Sequence, residues 1–167
     1  IEDLRFLDKY ENSCIKFFPK NNKKTINIET TTKVAEDLMK THYYLGWFNN
    51  FFPQKLGEVL QKDIRNRKSL VMISSNPSSY EEVGATERSW FKQADILFDE
   101  YHVINYSVKK EDASLFIQNA SVIFLLGGDT VKLNEFIMEY ELSDTIKESN
   151  AVVMGASAGA INMSAKW

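Results

Sequence analysis

The chain has 167 residues, of which 44% are hydrophobic and 26% are charged, and its formal net charge is −3. That length supports one domain with a hydrophobic core and is short for two domains of ordinary size. The slight negative charge provides no basic surface for a nucleic-acid backbone, which argues against nucleic acid as a partner. No run approaches the roughly 20 apolar residues of a membrane span, and the single Cys14 cannot form an internal disulfide. We therefore expect no membrane association and a cytoplasmic location.

Short apolar runs alternate with longer amphipathic segments from about residue 43 onward. This alternation is typical of repeated βα units and predicts an α/β domain with an open, mainly parallel sheet and helices on both faces. The predicted strands are residues 42–48, 70–74, 101–108, 121–126 and 151–155. The predicted helices are residues 54–65, 78–99 with Gly84 as a candidate break, 110–119, 130–140 and 143–148.

The first forty residues do not share this alternation. A stretch rich in lysine and asparagine, residues 20–24, precedes the β-favouring residues 25–32. We interpret residues 1–40 as an N-terminal appendage and residues 41–167 as the α/β domain.

The strongest chemical signal is Gly155-Ala156-Ser157-Ala158-Gly159, at the end of the last predicted strand. A serine between small residues at a strand-to-helix transition is typical of a nucleophile elbow, in which the serine lies on a tight, strained turn. Gly155 and Gly159 leave room for that turn. Ser157 is thus the candidate nucleophile, and the Ala158 N–H is a candidate oxyanion donor. The alternative is a turn that needs small residues only for packing.

A second glycine-bearing turn, Gly127-Gly128-Asp129-Thr130, follows the preceding apolar strand. Its backbone N–H groups can approach a ligand closely. Ligands of open α/β sheets bind at the carboxyl ends of the strands, so we expect the two turns to meet at one site. The alternative is a plain helix N-terminus that Asp129 or Thr130 caps.

The two motifs together, in FLLGGDTVKLNEFI…MGASAGAINMSA, resemble peptidase family S51, which includes aspartyl dipeptidase (peptidase E) and cyanophycinase. The resemblance covers about residues 43–167. It implies a three-layer, flavodoxin-like fold similar to class I glutamine amidotransferases. It also implies a serine peptidase that cleaves small peptides, aspartyl peptides among them, through an acyl-enzyme on Ser157. Gly128 or its neighbour Gly127, together with Ala158, then forms the oxyanion hole.

The sequence departs from the family pattern after the serine. The family places its catalytic histidine and acidic partner downstream, but the ten residues after Ser157 include no His, Asp or Glu. His42 and His102 both lie at predicted strand starts, toward the end of the sheet opposite the elbow. We therefore expect a domain truncated at its C-terminus, with its base in sequence not shown. The alternative is a truncated or noncatalytic member that binds a ligand or partner.

No cofactor or metal is expected. Histidine and cysteine clusters with metal-ligand spacing are absent, as are the dinucleotide-binding and Walker patterns. An amidotransferase-like glutaminase is disfavoured, because that class has a cysteine at the elbow. Glu81, Glu82 and Glu87 follow the second predicted strand and could reach the ligand face, but we interpret them as the cap and solvated face of a helix.

Overall fold

The computed structural model describes residues 16–17, 41–48, 50–78 and 82–164. Strands and helices alternate along these residues, as the sequence pattern predicts. The strands are β1 Lys16–Phe17, β2 His42–Leu45, β3 Ser69–Ile73, β4 Glu100–Ile104, β5 Val122–Leu125 and β6 Val152–Ala156. The helices are α1 Gln54–Asp63, α2 Ala85–Gln93, α3 Lys110–Gln118, α4 Thr130–Glu139, α5 Leu142–Glu148 and α6 Ala158–Ser164.

All six strands lie in one sheet, in the order β1-β2-β6-β5-β3-β4. The strands from β2 to β4 pair in parallel, and β1 pairs antiparallel with β2. β5 and β6, which precede the two glycine-bearing turns, are parallel neighbours, with Leu125 opposite Gly155. Both turns therefore leave the sheet side by side at its carboxyl edge.

Helices cover both faces of the sheet. Since successive residues of a strand point to opposite faces, the side chains of the strands divide between two buried clusters. On one face, Met72 and Phe124 pack in a buried cluster with Trp90 of α2 and with side chains of α1. On the other face, Ile123 packs in a second cluster with Phe136 of α4 and with side chains of α3 and α5. The predicted three-layer, flavodoxin-like α/β fold is thereby confirmed.

The helix predicted over residues 78–99, with Gly84 as a candidate break, is shorter in the structure, and Gly84 marks its start. α2 begins after Gly84, whose φ of 73° is left-handed, and it ends at Gln93. Asp95, shortly after this end, also has a positive φ of 55°. A Cβ on Gly84 would lie 2.5 Å from the Met72 Sδ, so the start of α2 lies directly on the sheet. Periodicity alone does not report such a contact.

Glu87 in the first turn of α2 is buried rather than solvated. The residue is only 6% exposed, whereas Glu82 is exposed and Glu81 lies outside the described residues. Burial raises the pKa of the Glu87 carboxyl, against the lowering effects of a backbone hydrogen bond and the nearby Arg88 charge. The close approach of α2 to the sheet explains why the helix-start pattern failed to predict this burial.

Among the described residues, every helix is too short or too polar to cross a membrane.

Removing residues 1–40 should leave the α/β core folded. Within this segment the structure describes β1, which adds two residues to the edge of the sheet beside Tyr43 and Tyr44. Among the described residues, no member of either buried cluster precedes Tyr43 in the chain. We therefore propose that residues 1–40 are an appendage, and expect deletion to lower the melting temperature by less than about 4 °C, the shift expected for roughly 1 kcal/mol. Loss of a cooperative thermal transition after deletion would show instead that the segment belongs to the core.

Candidate active site

Ser157 lies on the turn between β6 and α6. Its φ of 51° is left-handed, which is uncommon for a residue with a side chain and matches the strained turn expected of an elbow. Its N–H donates to the Leu45 carbonyl oxygen at 3.0 Å, and its own carbonyl accepts from the Ile161 N–H at 3.1 Å. These bonds hold Ser157 between β2 and α6 while the residue stays exposed.

Gly155 and Gly159 allow the backbone of α6 to lie directly on the sheet. A Cβ on Gly159 would overlap the Leu125 carbonyl oxygen and would lie 2.6 Å from the carbonyl carbon. A Cβ on Gly155 would lie 2.6 Å from the Gly159 carbonyl carbon and 2.7 Å from the Ala160 amide nitrogen. Both glycines are therefore required for packing. This requirement fits an elbow and a purely structural turn equally well.

The Gly127-Gly128 turn lies beside Ser157. A Cβ on Gly127 would lie 3.5 Å from the Ser157 Cβ and 3.6 Å from the Ala156 carbonyl oxygen. Gly128 has a φ of 128°, and a Cβ there would meet nothing within 4 Å. The two turns therefore meet at one place on the carboxyl edge, as the sequence predicts, with open space next to Gly128.

Asp129 is the N-cap of α4. Its Oδ1 accepts hydrogen bonds from the N–H groups of Val131 at 2.9 Å and Lys132 at 3.0 Å. The capping interpretation of this turn is therefore confirmed for Asp129. Capping also fixes the direction in which the chain passes from Gly127 and Gly128 into α4.

Asn162 of α6 connects the two turns, and sequence reasoning missed it. Its Nδ2 donates to the carbonyl oxygens of Thr130 at 3.1 Å and Ala158 at 3.0 Å, and the residue is only 2% exposed. A buried amide needs such partners. The signal in the sequence was an asparagine among small residues in AGAINMS, a residue type that forms local bonds to backbone carbonyls.

Three backbone amides beside Ser157 have no acceptor within the described part of the chain, one of them on Ala158, which is only 2% exposed. Within residues 41–48, 50–78 and 82–164, the N–H groups of Gly127, Gly128 and Ala158 donate to no protein acceptor. For Ala158 this follows from its position, since the first N–H groups of a helix have no partner within the helix. The Ser157 N–H, in contrast, is occupied by Leu45.

A comparison with known protein families identifies the family of the chain. Residues 50–167 match the model of peptidase family S51, a region that includes both glycine-bearing turns and more than half of the chain. The chain belongs to peptidase family S51. At the level of this family, membership supports a peptidase-type hydrolase with peptide substrates. No curated protein matches the chain.

His42 is too far from Ser157 to act on it as a base. It begins β2 and pairs with Val153 of β6. Val153 lies four residues before Ser157 in the chain. At about 3.3 Å per residue, the separation along the sheet is about 13 Å. A base has to lie within hydrogen-bond reach of the nucleophile, directly or through one water.

His102 is farther away still. The prediction that it starts its strand is wrong: β4 begins at Glu100, and His102 is its third residue, opposite Val71 of β3. Three strand spacings of about 4.8 Å separate β4 from β6. The His102 ring stacks on Phe116 with 4.2 Å between centroids, and its Nε2 lies 3.3 Å from Glu100 Oε2. Thus neither of the two histidines in the sequence can complete a triad at Ser157.

In the part of the chain that the structure describes, no group of three or more His, Cys, Asp or Glu side chains is arranged to hold a metal ion.

Proposed function

We propose that this protein is a serine-type hydrolase of small peptides that acts through an acyl-enzyme on Ser157. The observation that carries the proposal is the exposed, left-handed Ser157 on the β6–α6 turn, next to a second turn with free amides. Membership of family S51 supports the peptidase class. The serine mechanism is our inference from the geometry.

In the proposed reaction, the Ser157 Oγ attacks the carbonyl carbon of the peptide bond and passes its proton to a base. The carbonyl oxygen becomes an oxyanion, which accepts hydrogen bonds from the N–H of Ala158 and of Gly128 or Gly127. One such donor is worth roughly 3 to 4 kcal/mol in the transition state. The intermediate then expels the amine, which takes the proton from the base, and water hydrolyses the resulting ester.

We propose that the base comes from outside residues 1–167, either from a continuation of the chain or from a second chain. His42 and His102 are excluded by their distance from Ser157, as described above. A serine hydroxyl without a base is a poor nucleophile. The 167 residues by themselves are therefore expected to bind peptides but to cleave them only slowly.

A noncatalytic family member is the second candidate. The observations that favour it are the distant histidines and the packing role of Gly155 and Gly159, which gives a reason for the GASAG sequence without chemistry. Such a protein would bind a ligand or partner at the same carboxyl edge.

Trapping of the acyl-enzyme tests the proposal. Native protein that includes any sequence beyond residue 167 is mixed with peptide esters, quenched in acid and analysed by mass spectrometry. We expect the acyl group on the tryptic peptide 148–166, and fragmentation should place it on Ser157 rather than Ser149 or Ser164. Hydrolysis with no adduct on Ser157 would contradict the serine mechanism. Peptide binding with no hydrolysis would support the noncatalytic candidate.

The proposal requires no cofactor or metal. The single Cys14 is our reason for proposing a cytoplasmic location, since disulfides are typical of oxidising compartments.

A further inference from the structure

We infer that Trp47 forms an apolar wall of the substrate site, and that the substrate residue beside the scissile bond has an aromatic or large apolar side chain. This inference rests on the proposed function and specifies its substrate class. Its basis is the position of Trp47, its exposure and the absence of cationic side chains from the two segments around it.

Trp47 lies on the same side of Gly127 as Ser157. A Cβ on Gly127 would be 3.6 Å from the Trp47 Cζ3 and 3.5 Å from the Ser157 Cβ. These two atoms are therefore at most about 7 Å apart, and a group between them can contact both, since contact distances are about 4 Å. The hydrogen bond from the Ser157 N–H to the Leu45 carbonyl oxygen holds the chain next to the elbow at a point two residues before Trp47.

The Trp47 ring is both accessible and held in place. The residue is 47% exposed, although large aromatic side chains usually bury most of their surface. Its ring meets the fully buried Trp90 ring edge to face, with 5.1 Å between centroids. Trp90 in turn contacts Phe52 and Phe124 in the core. A half-exposed ring on such a support offers an ordered apolar surface, which is what a binding pocket requires.

The two segments that contain Trp47 and Gly127 favour an apolar side chain over an acidic one. Residues 46–53 (GWFNNFFP) contain no charged side chain, and Asp129 is the one charged residue in 126–130 (LGGDT). An aspartyl side chain would therefore find no cation in these two segments, and Asp129 would repel it. An aromatic or large aliphatic side chain would instead bury surface against Trp47.

Nuclear magnetic resonance of the 167-residue chain tests this inference without catalysis. The chain has three tryptophans, so three indole N–H signals are expected, and Trp47→Phe assigns one of them. N-acetyl-phenylalanine amide should shift the Trp47 indole signal together with the Gly127 and Gly128 amides. It should half-saturate at a concentration about 5-fold lower than N-acetyl-aspartic acid amide.

The matched variants are Trp47→Ala and Phe51→Ala. Trp47→Ala should weaken binding of the phenylalanine ligand, followed at the glycine amides, about 3- to 10-fold. Phe51 is also exposed, at 57%, but lines a cavity of about 390 Å³ between α1 and α2, so its loss should change binding less than about 2-fold. Equal effects of the two variants, or preference for the aspartyl ligand, would overturn the inference.

The outcomes separate this inference from the proposed function. An acyl adduct on Ser157 combined with a preference for the aspartyl ligand would leave the serine mechanism standing and remove the apolar wall. A selective shift of Trp47 with no adduct in any native form would remove the mechanism and leave an apolar binding site.

Discussion

Replacing Gly159 by alanine is expected to lower the free energy of unfolding by about 3 kcal/mol or more, because overpacking against rigid neighbours typically destabilises by about 1 to 3 kcal/mol and occasionally more. The new Cβ would overlap the Leu125 carbonyl oxygen, a backbone atom at the carboxyl end of β5, which is an interior strand of the sheet. Relief would require α6 to move away from β5, and Ser157 at the start of α6 would move with it. Urea denaturation measures the change.

Gly57→Ala is the matched control, since Gly57 is also a glycine within a helix. A Cβ there would lie 3.3 Å from the Ala94 Cβ, a side-chain contact that a small shift relieves. Alanine also favours the helix over glycine by up to about 1 kcal/mol. The net change should therefore be within about 1 kcal/mol of zero. Similar urea midpoints for the two variants would show that α6 does not lie on β5 as closely as described.

Replacing Ser157 by alanine should reduce peptide hydrolysis by an active native form roughly 10⁴- to 10⁶-fold in kcat, because loss of the nucleophile removes the acyl-enzyme route. Folding should be unaffected, since the side chain is exposed and the backbone hydrogen bonds of Ser157 to Leu45 and Ile161 remain. Alanine at a positive φ is expected to shift the melting temperature by only a few degrees. The measurement is steady-state hydrolysis together with a thermal melt.

Ser164→Ala, His42→Gln and His102→Gln are the controls for this loss. Ser164 is exposed on α6 and donates to the Ile161 carbonyl, away from the turn. Neither histidine is within reach of Ser157. Each variant should retain hydrolysis within a few-fold of the unmodified protein. A loss at His42 or His102 comparable to that at Ser157 would indicate that the histidine reaches the site in the active form.

The α/β fold was predictable because it depends on alternation. Buried parallel strands such as Val122–Leu125 are continuous apolar runs, and the two glycine-bearing turns have to follow adjacent runs at the same edge. The strained Ser157 was predictable for a similar reason, since its local sequence restricts the turn.

Features that depend on contacts between distant segments were not predictable. The burial of Glu87 follows from the close approach of α2 to the sheet at Gly84, and the link made by Asn162 follows from the placement of α6 beside α4. The sequence pattern placed His102 at the start of a strand, whereas pairing with β3 starts that strand two residues earlier. The sequence did not distinguish Trp47 from the other apolar residues of the predicted strand 42–48, whereas the structure places its ring beside Gly127.

Reaction with a serine-directed fluorophosphonate tests most directly whether Ser157 is a nucleophile that needs a base from outside residues 1–167. A native form whose sequence continues to a histidine and a carboxylate should be labelled on Ser157, and Ser157→Ala should remove the label. The 167-residue chain should react about 10²- to 10⁴-fold more slowly, the usual contribution of general base catalysis. Equally fast labelling of Ser157 in the 167-residue chain, or labelling of the longer form at another residue, would contradict this mechanism.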